Sequence, residues 1–105
     1  MELKIYWTDF SKKELRKIFE YYKKKANLNV AKNLVVGITK EATKLKKLPT
    51  IGQQEEYLEN SSREYRYLVF DNYKIIYWIN FENERIEIFD VFDTRQSPIK
   101  LKRSK

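Results

Sequence analysis

The side chains able to do chemistry in this chain of 105 residues are arginines, lysines and carboxylates, because histidine and cysteine are both absent. Without imidazole, no side chain has an ordinary pKa near neutrality, and without a thiol there is no thiolate nucleophile. The commonest zinc ligands are missing, and no segment has the acidic spacing of a calcium loop. The two glycines, Gly37 and Gly52, make no phosphate-binding loop. Hydrolase triads are therefore excluded, and neither a metal nor a cofactor is expected.

Three basic residues lie within or just after segments rich in aromatic and branched side chains: Arg66, Lys74 and Arg95. Each also has an ordinary structural explanation. Lys74 fits a solvated lysine on a strand, and Arg66 fits a cation that stacks on a tyrosine or pairs with Glu64 or Asp90. Arg95 follows the last predicted strand beside an aspartate, which suits an ion pair that anchors a loop. These alternatives stay open at this stage.

Three segments predict a β-meander around these residues. Tyr65 to Phe70 and Tyr73 to Asn80 are dense in strand formers, and the Asp71-Asn72 pair between them tolerates the positive φ of a two-residue hairpin turn. Glu82-Asn83-Glu84 then separates them from Arg85 to Phe92, where isoleucines alternate with a glutamate. Three antiparallel strands are predicted.

The predicted turn fixes which side chains share a face of the sheet. If Asp71 and Asn72 form the loop, Arg66 lies opposite Tyr77, so Arg66 and Lys74 point to opposite faces. The two cations can share one phosphate site only if a bulge or an odd-length loop intervenes.

Two amphipathic helices are predicted before the meander. The apolar residues of the first recur at i, i+3, i+4 and i+7: Leu15, Ile18, Phe19 and Tyr22. Ser11 and Glu14 have the spacing of a capping box, which predicts the start of this helix. The same periodicity runs from Ala31 to Leu45, with Asn29 as a predicted cap and Pro49 as a stop.

A short strand is predicted at the start of the chain, where three apolar residues alternate with polar ones: Leu3, Ile5 and Trp7. The order is therefore β-α-α-β-β-β, an α+β fold with a helical hairpin packed on a small antiparallel sheet. With no low-complexity segment, residues 1–105 are interpreted as one domain. Gly52 to Arg63 is interpreted as a surface connection. Gly37, inside the second helix, indicates either a close backbone approach or a tolerated surface position.

Charge divides unevenly along the chain. Residues 1–54 carry 13 Lys or Arg and 5 Asp or Glu, a net +8, whereas residues 55–105 carry 9 and 10, a net −1. A basic helical half favours an acidic partner or a phosphate backbone, although the same lysines also suit a solvated helix face. A second basic cluster is interpreted as a disordered solubilising tail: Lys100, Lys102, Arg103 and Lys105. Because no segment resembles a membrane span or a secretory signal, the cytoplasm is expected.

The aromatic residues are eight Tyr, six Phe and two Trp. Because most of them lie on predicted strands or on the apolar side of the first helix, core packing is favoured over a nucleic-acid stacking platform. Trp78 shares a predicted face with Lys74, and an exposed aromatic strip there would indicate a protein-binding surface.

Six short motifs follow one another along nearly the whole chain: W-T at Trp7-Thr8, I-F-E-Y-Y at Ile18 to Tyr22, L-P-T-I-G at Leu48 to Gly52, Y-R at Tyr65-Arg66, N-Y-K-I-I-Y at Asn72 to Tyr77, and V-F-D-T-R at Val91 to Arg95. Their order and spacing resemble the RelE/ParE family of type II toxin–antitoxin toxins. The resemblance implies the fold of that family and a cognate acidic antitoxin that wraps the toxin with a partly helical segment.

The resemblance also implies two kinds of target, because ParE-type members bind DNA gyrase whereas RelE-type members are ribosome-dependent mRNA endonucleases. Arg66, Lys74 and Arg95 align with basic residues by which such nucleases stabilise charge on the scissile phosphate without a metal. Leu68 falls where those nucleases tend to have a second lysine, and residues 96–105 lack their usual tyrosine or histidine. ParE-like binding of gyrase is therefore favoured, with an mRNA endonuclease or a non-toxic binding module as alternatives, and enzymatic activity stays open.

Overall fold

The computed structural model describes residues 2–58, 62–97 and 100–101. The elements follow in this order: β1 (Lys4–Trp7), α1 (Asp9–Lys25), α2 (Leu28–Thr43), β2 (Gln53–Gln54), β3 (Arg66–Phe70), β4 (Tyr73–Asn80) and β5 (Arg85–Asp93). Short 3₁₀ helices follow α2 and β2, at Lys44–Lys46 and Glu56–Leu58. The α+β fold is confirmed, and the predicted order β-α-α-β-β-β is found with one further short strand, β2, between the helices and the meander. The predicted basic tail lies mostly outside the described residues.

The strands form one sheet in the order β1-β5-β4-β3-β2. The predicted meander is confirmed in its register, with Phe70 opposite Tyr73 and Arg66 opposite Tyr77, and Asp71 in the turn has a φ of 55°. β1 runs parallel to β5, so the sheet is mixed rather than wholly antiparallel. Alternation within a strand carries no information about the direction of its neighbour, and β5 is distant from β1 in the sequence.

The predicted surface connection from Gly52 to Arg63 is wrong in its first part. Gln53 and Gln54 form a two-residue edge strand that pairs with β3, and both side chains are exposed. Glu55 and Leu58 just beyond them are buried. The polar composition concealed this strand, because an edge strand exposed to solvent needs no apolar alternation.

Both helices pack on one face of the sheet. The buried residues between the two layers include branched and aromatic side chains from every long element: Ile18, Ile38, Ala42, Leu45, Leu68, Tyr73, Ile75, Tyr77, Ile86, Ile88 and Val91. Alternate residues of β4 point into this cluster, as expected for a pleated strand. The aromatic residues are therefore used mainly for packing, which confirms the core interpretation.

The opposite face of the sheet is covered by a smaller cluster: Leu58, Tyr65, Ile76, Phe92 and Leu101. A bulge in β5 shifts the register, because Ile76 pairs with Asp90 but Tyr77 pairs with Ile88. The extra residue, Phe89, packs against the smaller cluster. The bulge lets Ile88 and Val91, three positions apart, face the same helices.

The predicted helix caps are wrong, because each helix begins earlier. The Thr8 hydroxyl accepts from the backbone N–H of Ser11 at 3.1 Å and donates to the carbonyl of Ile88 at 2.8 Å. Ser11 is buried in the first turn and donates its hydroxyl to the Thr8 carbonyl. In the second helix Asn27, rather than Asn29, accepts from the N–H of Val30 at 2.9 Å. Thr8 therefore caps α1 and also joins it to β5.

Gly37 is the point where the ring of Phe70 contacts α2. A Cβ at this position would lie 2.6 Å from Cε2 of Phe70, closer than carbon atoms approach without a shift. The close-approach interpretation of this glycine is therefore confirmed, with an aromatic side chain rather than backbone as the neighbour.

We expect Gly37→Ala to destabilise the protein. Overpacking a core contact typically costs about 1–3 kcal/mol, whereas removing a glycine from a helix returns about 1 kcal/mol, so the net loss should be roughly 1 kcal/mol in urea unfolding. The double variant with Phe70→Leu removes the ring, and it should show a favourable coupling between the two substitutions. Additive effects would show that the ring does not oppose the new methyl group.

Candidate functional site

Arg66 lies on β3 at the edge of the face that carries the helices. Its guanidinium Nη1 donates to the carbonyl of Gly52 at 2.9 Å and lies 3.4 Å from that of Thr50. Its Nη2 lies 3.4 Å from the carboxylate of Glu64, which confirms one of the predicted ion pairs. With only 20% of its side chain exposed, Arg66 holds the loop before β2.

The same loop is held by Tyr77, which is fully buried at the centre of the sheet. Its hydroxyl donates to the carbonyl of Pro49 at 2.7 Å and accepts from the N–H of Gly52 at 3.0 Å. Burial raises the pKa of Tyr77, so the hydroxyl stays protonated and able to donate. A Cβ on Gly52 would lie 2.8 Å from the carbonyl oxygen of Tyr67, which explains the glycine. The L-P-T-I-G motif is therefore the loop whose backbone makes these hydrogen bonds.

Lys74 lies on the other face of the sheet, so the predicted separation of Arg66 and Lys74 is confirmed. Its Nζ is 2.8 Å from the carboxylate of Glu55, whose side chain is only 1% exposed. The same ammonium group lies 4.2 Å from the ring centre of Tyr67. Lys74 is thus the partner of a buried carboxylate, and its interpretation as a solvated strand lysine is wrong.

Arg95 follows β5 and has 56% of its side chain exposed. Its Nε and Nη2 donate to the two carboxylate oxygens of Asp93 at 2.9 and 2.8 Å, which confirms the predicted ion pair. The hydrogen bond from Arg95 lowers the pKa of Asp93 below its usual value. Within the described part of the chain, Nη1 of Arg95 makes no hydrogen bond, so this edge of the guanidinium is available to an anion.

Arg95 borders an open cleft of about 370 Å³ between α1 and the end of β5. Its polar and aromatic lining is as follows: Glu14, Lys17, Tyr21, Tyr73, Asp93, Arg95 and Gln96. Burial and a hydrogen bond with Tyr22 raise the pKa of Tyr73 well above its ordinary value. Tyr73 is therefore a protonated hydroxyl at neutral pH and does not serve as a general base. Both cations of this lining pair with carboxylates, Lys17 with Glu14 at 3.1 Å and Arg95 with Asp93 at 2.8 Å. The Nη1 edge of Arg95 is therefore the group of this lining that could still contact an anion.

The three predicted site residues do not converge on one point. Arg66 and Lys74 are on opposite faces of the sheet, and both are engaged with the segment around β2. Arg95 is instead grouped with residues that the sequence did not single out as functional, Tyr22 and Tyr73. Their periodicity marked them only as apolar positions of a helix and a strand.

The predicted possibility of an exposed aromatic strip around Trp78, on the face that it shares with Lys74, is not borne out. Trp78 is half-buried, and the guanidinium of Arg63 lies 4.2 Å from the centre of its ring.

Among the described residues, no cluster of three or more potential ligands is placed to hold a metal ion. Within the same part of the chain, none of the helices combines the length and the apolar character needed to cross a bilayer.

Removal of the ammonium group in Lys74→Met should destabilise the protein, because the buried carboxylate of Glu55 loses its partner. We expect a loss on the order of 2–3 kcal/mol in urea unfolding. The matched control is Lys74→Met combined with Glu55→Gln, which removes the stranded charge and should recover part of the loss. A single variant as stable as the wild type would contradict this role.

Substitution of Arg95 by glutamine should raise the pKa of Asp93 toward its usual value, which carboxyl-carbon NMR titration would measure. Because the folded-state pKa of Asp93 is depressed, its contribution to stability is present above the unfolded value of about 4 and is lost as the pH falls through the folded value. The stability difference between wild type and Arg95→Gln should therefore be largest near neutral pH and shrink in acid. An unchanged Asp93 titration would contradict the ion pair.

Comparison with known proteins agrees with this architecture. Residues 5–98 match the family described as ParE toxin of type II toxin-antitoxin system, parDE. A solved chain of the chromosomal ParDE toxin–antitoxin system from P. aeruginosa is similar with a TM-score of 0.72 and 15% identity, over 88% of this chain and 96% of that one. No curated protein is significantly similar in sequence. At that identity the structural similarity supports the fold, whereas the family match spans most of the sequence, and the chain therefore belongs to the ParE toxin family of type II toxin–antitoxin systems.

Proposed function

We propose that this chain inhibits growth by binding DNA gyrase, and that an acidic cognate antitoxin neutralises it. The observation that supports binding over phosphodiester cleavage is the separation of Arg66 from Lys74 by the sheet. A nuclease that relied on these cations would have to bring them to one phosphate, and each is already held by a protein oxygen. Their engagement is therefore better explained by stability than by catalysis.

The proposed antitoxin contact is supported by the charge of the helical layer. Several exposed lysines of α1 and α2 have no ion pair within the described residues: Lys13, Lys23, Lys24, Lys25, Lys32 and Lys40. A positive surface of this kind accelerates association with an acidic segment, and the effect weakens as salt screens it. An acidic chain that folds along the helices would fit such a surface.

An mRNA endonuclease stays the second candidate mainly because of Arg95. Its exposed guanidinium edge at the cleft could contact a phosphate, and the hydroxyl of Tyr73 lies in the same cleft. Lys17 adds a second cation, although it pairs with Glu14 at 3.1 Å. The two candidate functions therefore differ in what the loss of Arg95 should do.

The test measures two activities of the purified protein, inhibition of gyrase supercoiling and cleavage of mRNA on translating ribosomes. We expect supercoiling to be inhibited and mRNA to remain intact. Arg95→Ala and the matched surface variant Arg63→Ala show whether either activity depends on the cleft. Arg95 is the better probe because Arg66 also holds the loop at Gly52, so its loss would alter the fold.

The outcome that would contradict gyrase binding is specific. Ribosome-dependent cleavage that Arg95→Ala abolishes and Arg63→Ala retains, together with normal supercoiling, would establish the nuclease instead. A folded protein that is silent in both assays would favour a binding module without toxic activity.

A further inference from the structure

The turn between β4 and β5 presents a phenylalanine to solvent. Phe81 has 76% of its surface exposed, compared with 55% for Leu48, the next most exposed large apolar side chain among the described residues. Core packing accounts for most aromatic residues of this chain, but it does not account for Phe81. An isolated exposed apolar residue is unremarkable in itself, so the surrounding turn decides whether this one is an anchor.

The turn is fixed by hydrogen bonds from its own residues. The side-chain oxygen of Asn80 accepts from the N–H of Asn83 at 3.1 Å, and the N–H of Glu84 donates to the carbonyl of Phe81 at 3.3 Å. Glu84 has a φ of 52°, a conformation that closes the turn before β5. These contacts hold the backbone of Phe81 in one orientation.

The turn is also tied to neighbouring strands. The Asn80 amide nitrogen donates to the carboxylate of Glu87 at 2.8 Å, and that carboxylate pairs with Arg85 at 2.9 Å. The carbonyl of Glu84 accepts from the N–H of Lys4 on β1 at 3.4 Å. A side chain presented on a fixed backbone loses little freedom on binding, which is the property of a preorganised anchor.

The charge of the turn is opposite to that of the molecule. Glu82 and Glu84 give residues 81–84 a net −2, whereas the chain as a whole has +7. Two cations adjoin the turn. Arg85 is paired with Glu87 and lies 4.1 Å from the ring of Tyr6, and Lys4 lies beside it on β1, so the turn with these neighbours keeps an excess of negative charge. An acidic partner would be repelled at this turn, so a partner with an apolar pocket and a basic rim fits it best.

We propose that the turn of residues 81–84, with Phe81 exposed in it, is the anchor by which this toxin docks on its target protein, at an apolar pocket surrounded by basic side chains. The inference rests on the proposed function, in which that target is DNA gyrase. A protein that binds DNA does so through a strongly basic surface. On a target of this kind, that basic surface is the one whose charge is complementary to the acidic turn. The antitoxin and the target would then contact different surfaces of the toxin.

The decisive variant is Phe81→Ala, compared with Tyr57→Ala as a control for loss of an exposed aromatic ring elsewhere. Because both rings are exposed, at 76% and 51%, both variants should unfold at nearly the same urea concentration as the wild type. Phe81→Ala should weaken inhibition of gyrase supercoiling at least tenfold, in the range typical of an interface hot spot. Tyr57→Ala should leave inhibition unchanged.

Two further measurements separate this inference from the function on which it rests. Binding of poly-L-glutamate, a probe for the basic helices, should be the same for Phe81→Ala and wild type. Growth inhibition on expression in bacteria at matched protein levels should be lost in Phe81→Ala and retained in Tyr57→Ala.

Each outcome has a defined meaning. If wild type and Phe81→Ala inhibit gyrase equally, the docking turn is overturned and gyrase binding stands. If wild type slows growth without inhibiting gyrase, the gyrase proposal fails, and the growth of Phe81→Ala cells then supports or overturns the anchor on its own. A wild-type chain that neither inhibits gyrase nor slows growth overturns both.

Discussion

The hydroxyl of Tyr77 is the contact on which the arrangement of this protein depends. A tyrosine buried at the centre of a sheet must find partners for its hydroxyl, and here both partners are backbone groups of one loop, at Pro49 and Gly52. Arg66 binds the same loop from the neighbouring strand. The chain leaving the helices is thereby fixed against the sheet, and it enters β2 in a single register. The guanidinium of Arg66 is thereby engaged in holding this loop.

The sheet also separates two of the basic side chains, because they lie on its opposite faces. Because side chains alternate along a strand, the two-residue turn at Asp71-Asn72 directs Arg66 and Lys74 to different faces. On one face Arg66 donates to the loop carbonyl of Gly52, and on the other Lys74 donates to the carboxylate of Glu55. Arg95 lies beyond the end of β5, so strand alternation does not determine its direction, and its side chain is exposed. The fold of a charge-rich chain can therefore leave few cations free to act together.

The sequence predicts what depends on local interactions. The register of β3 and β4 followed from a two-residue turn, and the helices followed from their periodicity. The pairing of β1 with β5 was not predictable in this way, because the two strands are distant in the sequence. The cap at Thr8 is a local bond to Ser11, but Ser11 and Glu14 offered a competing capping box, and the second bond of Thr8, to Ile88, depends on the fold. The burial of Glu55 has no local signal for a similar reason, because a glutamate in a polar stretch becomes buried only when a lysine from another strand pairs with it. Tyr22 and Arg95 are brought together only by tertiary packing, so nothing in the sequence near either residue indicates that the two are neighbours.

Under the proposed function, the distribution of charge would let one small domain bind two partners at different surfaces. Long-range attraction acts over about one Debye length, roughly 8–10 Å at physiological salt, so the lysines of the helices act before contact is made. An apolar ring acts only at contact, and its contribution depends little on salt. Under the proposed assignment, association with the antitoxin is governed by the basic helices and is sensitive to salt, whereas residence on the target is governed by Phe81. Opposite charges at the two surfaces would then keep each partner from the surface of the other, because the acidic turn repels the acidic antitoxin and the basic helices repel a basic pocket.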